Sequence, residues 1–242
     1  MSFETVLKAA QDGDADAQVA MGYLFFRGDG VGQDRREAAR WFGLAADQGN
    51  AEAMCNLGYI KAHGYGVRGD LQVAISLYEK SAELGYPPAM FNLGFMYSDV
   101  EGVEQDWEKA AYWYGRASEA GSLPALYRLG VILQEGRGCD RDPVRAADCF
   151  SRALEGGYPK AGVRLASMQL SGDGVPRSPE KAVKSLAKAA DLGSEDAMLE
   201  LGRLSLTGEG MVKSEANAVK WLKKAKARGS REAAEILSQM GR

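Results

Sequence analysis

The segment Asn50–Gly85 reads NAEAMCNLGYIKAHGYGVRGDLQVAISLYEKSAELG, and copies of it make up most of the chain. Its Leu57-Gly58 pair, a large apolar residue followed by a small one, recurs at a constant spacing of 36 residues. The other copies of the pair are Met21-Gly22, Leu93-Gly94, Leu129-Gly130, Leu165-Ala166, Leu201-Gly202 and Leu237-Ser238. A fixed period of this length predicts a stacked repeat architecture, in which neighbouring copies bury each other's apolar faces.

Within one copy, the pattern predicts two helices joined by turns. Leu57 and Ile60 lie at helical spacing, so we expect residues 50–63 to form a first helix. Gly64 then ends this helix, since glycine readily adopts the left-handed conformation found after helix C-termini. Asp70 is a good N-cap residue and is expected to start the second helix, which a further glycine closes.

This pattern resembles the Sel-one-like repeat (SLR) family, a relative of the tetratricopeptide repeat. The resemblance lies in the A-x-x-x-L-G string of Ala53–Gly58, the G-x-G-V turn of Gly64–Val67, the Asp70–Ala74 start of the second helix and the A-x-x-G ending of Ala82–Gly85. It implies an all-α fold, a right-handed α/α superhelical solenoid of six 36-residue helix-turn-helix repeats with half-repeat caps. It also implies a scaffold for protein partners.

The period divides the chain into a repeat region with two caps. Residues 1–13 match the second half of a repeat and are predicted to form an N-terminal half-repeat helix. Residues 14–229 hold six complete repeats, and residues 230–242 form a C-terminal capping helix. Ala233 and Leu237 would face the inside of that last helix, with charged residues on its outer side.

Composition narrows the class of protein. The chain has 242 residues, of which 45% are hydrophobic, as in an ordinary soluble protein. Its formal net charge of −3 disfavours nucleic acid and anionic membranes as general partners. Nothing in the sequence is typical of a signal peptide or a transmembrane helix, so we expect a cytoplasmic protein, or a periplasmic one if a signal peptide was removed. A monomer without cofactor or metal is expected.

The cysteines and the single histidine follow no catalytic or metal-binding pattern. Cys55, Cys139 and Cys149 occupy different repeat slots, which favours free thiols; a Cys139–Cys149 disulfide remains a minor alternative. His63 lies at the C-terminal end of a first helix, where a histidine interacts favourably with the helix dipole.

Two S-x-x-K strings raise the possibility of a serine hydrolase. They begin at Ser178 and Ser185, and such strings occur in penicillin-recognising serine enzymes. The S-D-N and K-T-G motifs that accompany them in those enzymes are absent from this sequence. Ser178 is explained as a helix N-cap and Ser185 as a residue of the helix seam, so the sequence disfavours hydrolase or penicillin-binding activity.

The slots beside the Leu-Gly pair carry the candidate binding residues, to which Lys160 is added because it lies one turn before Arg164 on the same face. By resemblance to tetratricopeptide-like stacks, the first helices line a concave groove, and these slots face it. The set is aromatic and amide-bearing in the early repeats and cationic in the later ones: Tyr23, Asn56, Tyr59, Phe91, Asn92, Phe95, Tyr127, Arg128, Lys160, Arg164 and Arg203. Asparagine amides can hold the backbone of an extended peptide, and clustered cations suit a carboxylate. The alternative is that the aromatic rings pack between first helices and the arginines pair with neighbouring acids.

The sequence therefore predicts a non-enzymatic adaptor or scaffold for protein–protein interaction. Its partner would be a protein or an extended acidic peptide, with apolar side chains against the aromatic repeats and an acid at Arg128 and Arg164. The alternative function is an immunity-type inhibitor that neutralises a toxin or an enzyme.

Overall fold

The structure, a computed structural model, describes residues 2–242, and Met1 of the predicted N-terminal half-repeat lies outside the described residues. The chain divides into two compact units, Met1–Ser122 and Leu123–Arg242. Over residues 2–122 the helices are α1 (Phe3–Gln11), α2 (Ala15–Arg27), α3 (Arg35–Asp47), α4 (Ala51–His63), α5 (Leu71–Glu83), α6 (Pro87–Asp99) and α7 (Trp107–Glu119). The second unit contains α8 (Leu123–Glu135), α9 (Pro143–Glu155), α10 (Pro159–Ser171), α11 (Pro179–Asp191), α12 (Glu195–Thr207), α13 (Glu215–Ala227) and α14 (Arg231–Gln239).

Within each unit, consecutive helices pack against each other as pairs, which confirms the predicted all-α repeat fold. The first helix of each repeat is even-numbered and the second is odd-numbered. Each helix from α2 to α13 contains 13 residues, as expected for copies of one 36-residue unit.

The predicted caps set the helix boundaries. Asp70 Oδ1 accepts a hydrogen bond from the Val73 N–H at 3.0 Å and so starts α5. The same slot caps the other second helices through Asp34, Asp106, Asp142, Ser178 and Ser214. Gly64 ends α4 in the left-handed conformation, with φ 65°. Repeat three has Val100 in this slot, and there the chain leaves α6 in an extended conformation instead.

The small residue of the Leu-Gly pair lets the two helices of a repeat approach closely. A Cβ atom at Gly22 would lie 2.5 Å from Cε1 of Phe42, whose ring is 1% exposed. Repeats two to four likewise place Tyr or Phe against the glycine. Repeat five carries Ala166 and Leu186 at the two slots, and repeat six carries Gly202 and Leu222.

Each terminal helix buries one side and exposes the other, as expected of a half-repeat at the end of a repeat stack. In α1, Ala10 is 2% exposed, and its carbonyl accepts a hydrogen bond from Gln18 Nε2 at 3.1 Å. In α14, Ala233 and Leu237 are buried while Arg231 is exposed. Both helices lie inside the predicted cap segments.

Candidate functional site

A pocket of about 340 Å³ opens on the first unit, between α2, α4 and the start of α6. It brings together four of the sequence-predicted residues, namely Tyr23, Asn56, Tyr59 and Asn92. The remaining lining residues are Phe26, Arg27, Phe42, Cys55, Ile60, Tyr86 and Pro88. The pocket thus has aromatic walls and two side-chain amides, which is the composition expected of a site that holds a peptide side chain and its backbone.

Hydrogen bonds orient the polar groups of this pocket. Asn56 Nδ2 donates to the Tyr23 hydroxyl at 2.8 Å, and that hydroxyl donates to Glu52 Oε1 at 2.7 Å. Asn92 Nδ2 donates to Cys55 Sγ at 3.5 Å. Neither side-chain carbonyl oxygen, Asn56 Oδ1 or Asn92 Oδ1, accepts a hydrogen bond from a side chain or backbone of residues 2–242. Each amide can therefore still accept a hydrogen bond from a ligand.

Charge in the pocket is confined to its rim. The Arg27 guanidinium lies 5.0 Å from the centroid of the Tyr23 ring. Burial, and then the hydrogen bond to Glu52, raises the pKa of Tyr23. Burial raises the pKa of Cys55 to about 12, so its thiol is protonated near neutral pH and is a poor nucleophile. These groups suit binding better than covalent chemistry.

An aromatic cluster adjoins the pocket where α4 ends. His63 Nδ1 lies 2.9 Å from the Tyr59 carbonyl oxygen, and the His63 ring stacks on Tyr65 at a centroid distance of 5.1 Å. Phe26 lies 6.3 Å from Tyr59, and the Arg35 guanidinium covers Tyr65 at 4.3 Å. His63 therefore takes part in local packing at a helix C-terminus.

The two predicted phenylalanines lie outside the lining of this pocket. Phe91 packs against Tyr114, with ring centroids 5.5 Å apart. Phe95 is 39% exposed, as is Tyr59. Of the six residues predicted in the first unit, four thus line the pocket, Phe91 packs against another ring and Phe95 is exposed.

In the second unit, the predicted cations differ in their surroundings. Arg203 donates to Glu200 Oε1 at 2.5 Å and also pairs with Glu232, so its charge is already balanced. Lys160 is exposed and Arg164 is half-buried, and neither forms an ion pair with a carboxylate of residues 2–242.

The remaining two predicted residues lie near the start of this unit. Tyr127 packs on Phe150 and Tyr158, at centroid distances of 5.7 and 5.3 Å, and Arg128 is half-buried. The packing alternative therefore describes Tyr127 and Phe91 well, and the pairing alternative describes Arg203.

A second pocket, of about 520 Å³, was not predicted from the sequence. It lies between α10 and α12 and is lined by Val163, Ala166, Ser167, Leu170, Ser171, Leu186 and Glu200. Ser167 occupies the slot that holds Tyr23, Tyr59 and Phe95 in earlier repeats. A small side chain in a slot that is aromatic in the first three repeats was the available signal for a cavity there.

The two serines of the S-x-x-K strings have structural roles, as the sequence indicated. Ser178 Oγ accepts a hydrogen bond from the Lys181 N–H at 3.4 Å, caps α11 and donates to Glu180 within the first turn. Ser185 is 8% exposed and donates to Gln169 Oε1 at 2.9 Å.

The cysteines are free thiols, as predicted, with Cys55 and Cys149 buried and Cys139 exposed. Residues 2–242 contain no cluster of three or more His, Cys, Asp or Glu side chains that could hold a metal ion. Within the same residues, every helix is too short or too polar to cross a bilayer.

Comparison with models of protein families shows which family the chain belongs to. Six consecutive segments match the model of the Sel1 repeat: residues 15–50, 51–86, 87–122, 123–158, 159–194 and 195–230. The chain is a Sel1 repeat protein. Each matched segment begins one residue after the corresponding predicted repeat, and the predicted resemblance is confirmed.

Solved structures similar to this Sel1 repeat protein come from several bacteria. A protective antigen of uropathogenic Escherichia coli with an SLR fold is 26% identical, with a TM-score of 0.88, over 97% of this chain and 50% of that one. A Sel1 repeat protein from Oxalobacter formigenes is 28% identical, with a TM-score of 0.79, over 94% and 100% of the two chains. This chain therefore spans half the length of the first protein and the whole of the second.

An immunity protein from Pseudomonas aeruginosa is 22% identical, with a TM-score of 0.52, over 88% of this chain and 81% of that one. At this identity the likeness shows a shared fold only. Comparison with curated proteins finds no match.

Proposed function

We propose that this Sel1 repeat protein is a non-enzymatic interaction module that binds an extended peptide segment of a protein partner. Sel1 repeat proteins generally mediate protein–protein interactions. The proposed binding surface is the first-helix face, which we define in each unit as the slots beside the Leu-Gly pair, together with Lys160 one turn before Arg164. The observation that carries the proposal is the pocket of the first unit, where aromatic walls and two amides converge.

The chemistry of this pocket matches one apolar side chain and its backbone. Its volume of about 340 Å³ lies at the lower end of the range of about 300–1,000 Å³ that is typical of ligand pockets. An apolar side chain would enter between Tyr23 and Tyr59. Asn56 Oδ1 and Asn92 Oδ1 would accept hydrogen bonds from peptide N–H groups, which an extended segment presents at regular intervals.

In the second unit, the proposal assigns Lys160 and Arg164 to an acidic side chain. Both cations lie on α10, one turn apart, and neither is neutralised by a carboxylate of the described chain. The 520 Å³ pocket beside α10 offers an apolar surface for a neighbouring ligand side chain. Arg203 is left out of this binding set because Glu200 and Glu232 already pair with it.

A peptide library displayed on phage and selected against the purified full chain tests the proposal. We expect enrichment of sequences that combine an aromatic or aliphatic residue with acidic residues. Asn56→Ala/Asn92→Ala should weaken a selected peptide about tenfold or more, since each lost hydrogen bond contributes about 0.5–1.5 kcal/mol. The matched control is Asn217→Ala, an exposed asparagine on α13, which should leave binding unchanged.

A charge variant tests the second unit in the same assay. Lys160→Glu/Arg164→Glu should weaken acidic peptides and spare neutral ones. Arg68→Glu/Lys80→Glu carries the same change of charge at exposed sites of the first unit and serves as its control. Equal losses in both variants would show a general charge effect and refute the assignment to α10.

The outcome also separates the proposal from the immunity-type alternative. An inhibitor would bind one folded partner tightly and would enrich no linear motif from the library. Selection of unrelated peptides whose affinity is unchanged in Asn56→Ala/Asn92→Ala would therefore refute the peptide-binding pocket.

A further inference from the structure

Charge is unevenly distributed between the two units. Residues 1–122 contain 10 Lys and Arg against 18 Asp and Glu, a formal charge of −8. Residues 123–242 contain 20 Lys and Arg against 15 Asp and Glu, a formal charge of +5. The net charge of −3 is therefore the sum of two opposite charges, −8 in the first unit and +5 in the second.

Much of the positive charge lies on the second helices of repeats five and six. We define the lysine surface as six exposed residues of α11 and α13: Lys181, Lys184, Lys188, Lys220, Lys223 and Lys224. None of the six forms an ion pair with a carboxylate of residues 2–242. On α13 the opposite side buries Ala218, Leu222 and Ala225, so the lysines point away from the core.

The repeat aligns these charges across the two helices. Lys184 and Lys220 occupy equivalent slots 36 residues apart, as do Lys188 and Lys224. Both helices pack on α12, which lies between them in the chain. Residues three or four apart on one helix have Cβ atoms about 5–6 Å apart, so the lysines form a short row on each of the two helices.

Repeat four ends this pattern. Its equivalents of Lys184 and Lys188 are Asp148 and Arg152, which pair with each other at 3.3 Å. The lysine surface is therefore local to two repeats, although every repeat has the same fold. All six side chains are exposed, so the charge lies on the surface and outside the core of the repeats.

We propose that the lysine surface binds a short acidic segment of a partner protein. Salt screens fields beyond about 8 Å at physiological ionic strength, so a short segment responds mainly to the lysines it touches. The surface covers only two repeats, which favours a short acidic segment over an extended polyanion such as a membrane or a duplex nucleic acid. The surface is independent of the first-helix face, since it lies on the second helices.

The side chains themselves indicate the kind of contact. The surface contains lysine and no arginine, and the Lys224 ammonium covers the ring of Trp221 at 4.3 Å. Lysines are compact, hydrated charges on flexible stems, which suit several carboxylates in varied geometry better than one fixed bidentate pair. The interaction should therefore be electrostatic, fast to form and sensitive to salt.

Fluorescence anisotropy with a labelled oligoglutamate peptide and the full chain tests this proposal. We expect binding that weakens as salt is raised. Lys220→Glu/Lys224→Glu should reduce the affinity by at least about tenfold, because like charges then face each other. Circular dichroism should show an unchanged fold, since both side chains are exposed.

Two matched variants show where the peptide binds. Arg68→Glu/Lys80→Glu makes the same change of charge elsewhere and should retain most of the affinity. Lys160→Glu/Arg164→Glu alters the first-helix face and should also retain most of the affinity, because oligoglutamate lacks the apolar side chain that the peptides proposed for that face carry. Loss of binding in the latter variant alone, or equal loss in all three, would overturn the lysine surface.

Other anionic probes complete the experiment. Vesicles of phosphatidylserine and phosphatidylcholine, and a DNA duplex, are tested at the same ionic strength. Weaker binding of these probes than of the oligoglutamate supports a protein segment as the ligand. Tighter binding of either one, lost in Lys220→Glu/Lys224→Glu, would overturn the proposal in favour of a membrane or a nucleic acid.

Discussion

The substitution Gly22→Ala tests whether the close approach of paired helices requires glycine. Its Cβ would lie 2.5, 2.7 and 2.7 Å from Cε1, Cδ1 and Cζ of Phe42, a ring that is 1% exposed and has little room to move. Overpacking of this kind costs about 1–3 kcal/mol, whereas the helix propensity of alanine returns about 0.8–1.0 kcal/mol. We expect a net loss of about 0–2 kcal/mol in the free energy of unfolding.

A control on the partner helix separates the clash from the propensity. Gly43 lies inside α3, and a Cβ there would meet no atom within 4 Å. Gly43→Ala should therefore stabilise the protein by up to about 1 kcal/mol. The free energies of unfolding of the two variants should differ by about 1–3 kcal/mol, which is the cost of the clash alone.

Urea denaturation followed by circular dichroism measures the difference. Hydrogen exchange of α2 and α3 accompanies it, because stacked repeats do not always unfold in one step. Phe42→Leu reproduces the second-helix residue of repeat five, where the small residue is Ala166. The double variant Gly22→Ala/Phe42→Leu should show favourable coupling of about 0.5–3 kcal/mol relative to the single changes. If Gly22→Ala stabilised the protein as much as Gly43→Ala, the steric argument would be wrong.

Two further predictions concern the thiols. Iodoacetamide at mildly alkaline pH should label Cys139 in the folded protein and spare buried Cys55 and Cys149, as mass spectrometry would show; equal labelling of all three would contradict the described burial. The free energy of unfolding should fall as pH rises between 9 and about 12, because burial raises the pKa of Cys55 from 9.0 to about 12 and the unfolded thiol loses its proton first. Urea titrations at several pH values in this window check the slope, which Cys55→Ala should reduce; an unchanged slope would refute the assignment to Cys55.

Much of the fold could be predicted because the same sequence signals recur in each repeat. One Asp70 is a weak signal for a helix start, but a cap residue in the same slot of six repeats is a strong one. Repetition strengthens the prediction of the helix ends in the same way, since Gly64 and its equivalents recur where a first helix ends.

The candidate site could be predicted only in part. The 36-residue period fixes the slot of a surface side chain but not the residues that it contacts. Tyr59 and Phe91 are both groove-slot aromatics by sequence, yet one lines a pocket and the other packs on Tyr114. The pairing of Arg203 with Glu232 joins residues of successive first helices. These two residues are 29 positions apart, so a comparison at the 36-residue period does not show the pair. Counting charge by unit would have shown the excess of positive charge in the second unit.

The 36-residue period thus carries two kinds of slot with different constraints. Slots that face the helix seam accept few residues, because a ring such as Phe42 leaves no space for a Cβ atom at Gly22. The slot that follows the small residue faces outward and changes in chemistry along the chain: Tyr23, Tyr59, Phe95, Val131, Ser167 and Arg203. Since folding depends on the first kind and the proposed binding on the second, family membership specifies the scaffold without specifying its partner. The partner is better sought from the departures between repeats, such as Ser167 and its pocket, than from the positions on which the repeats agree.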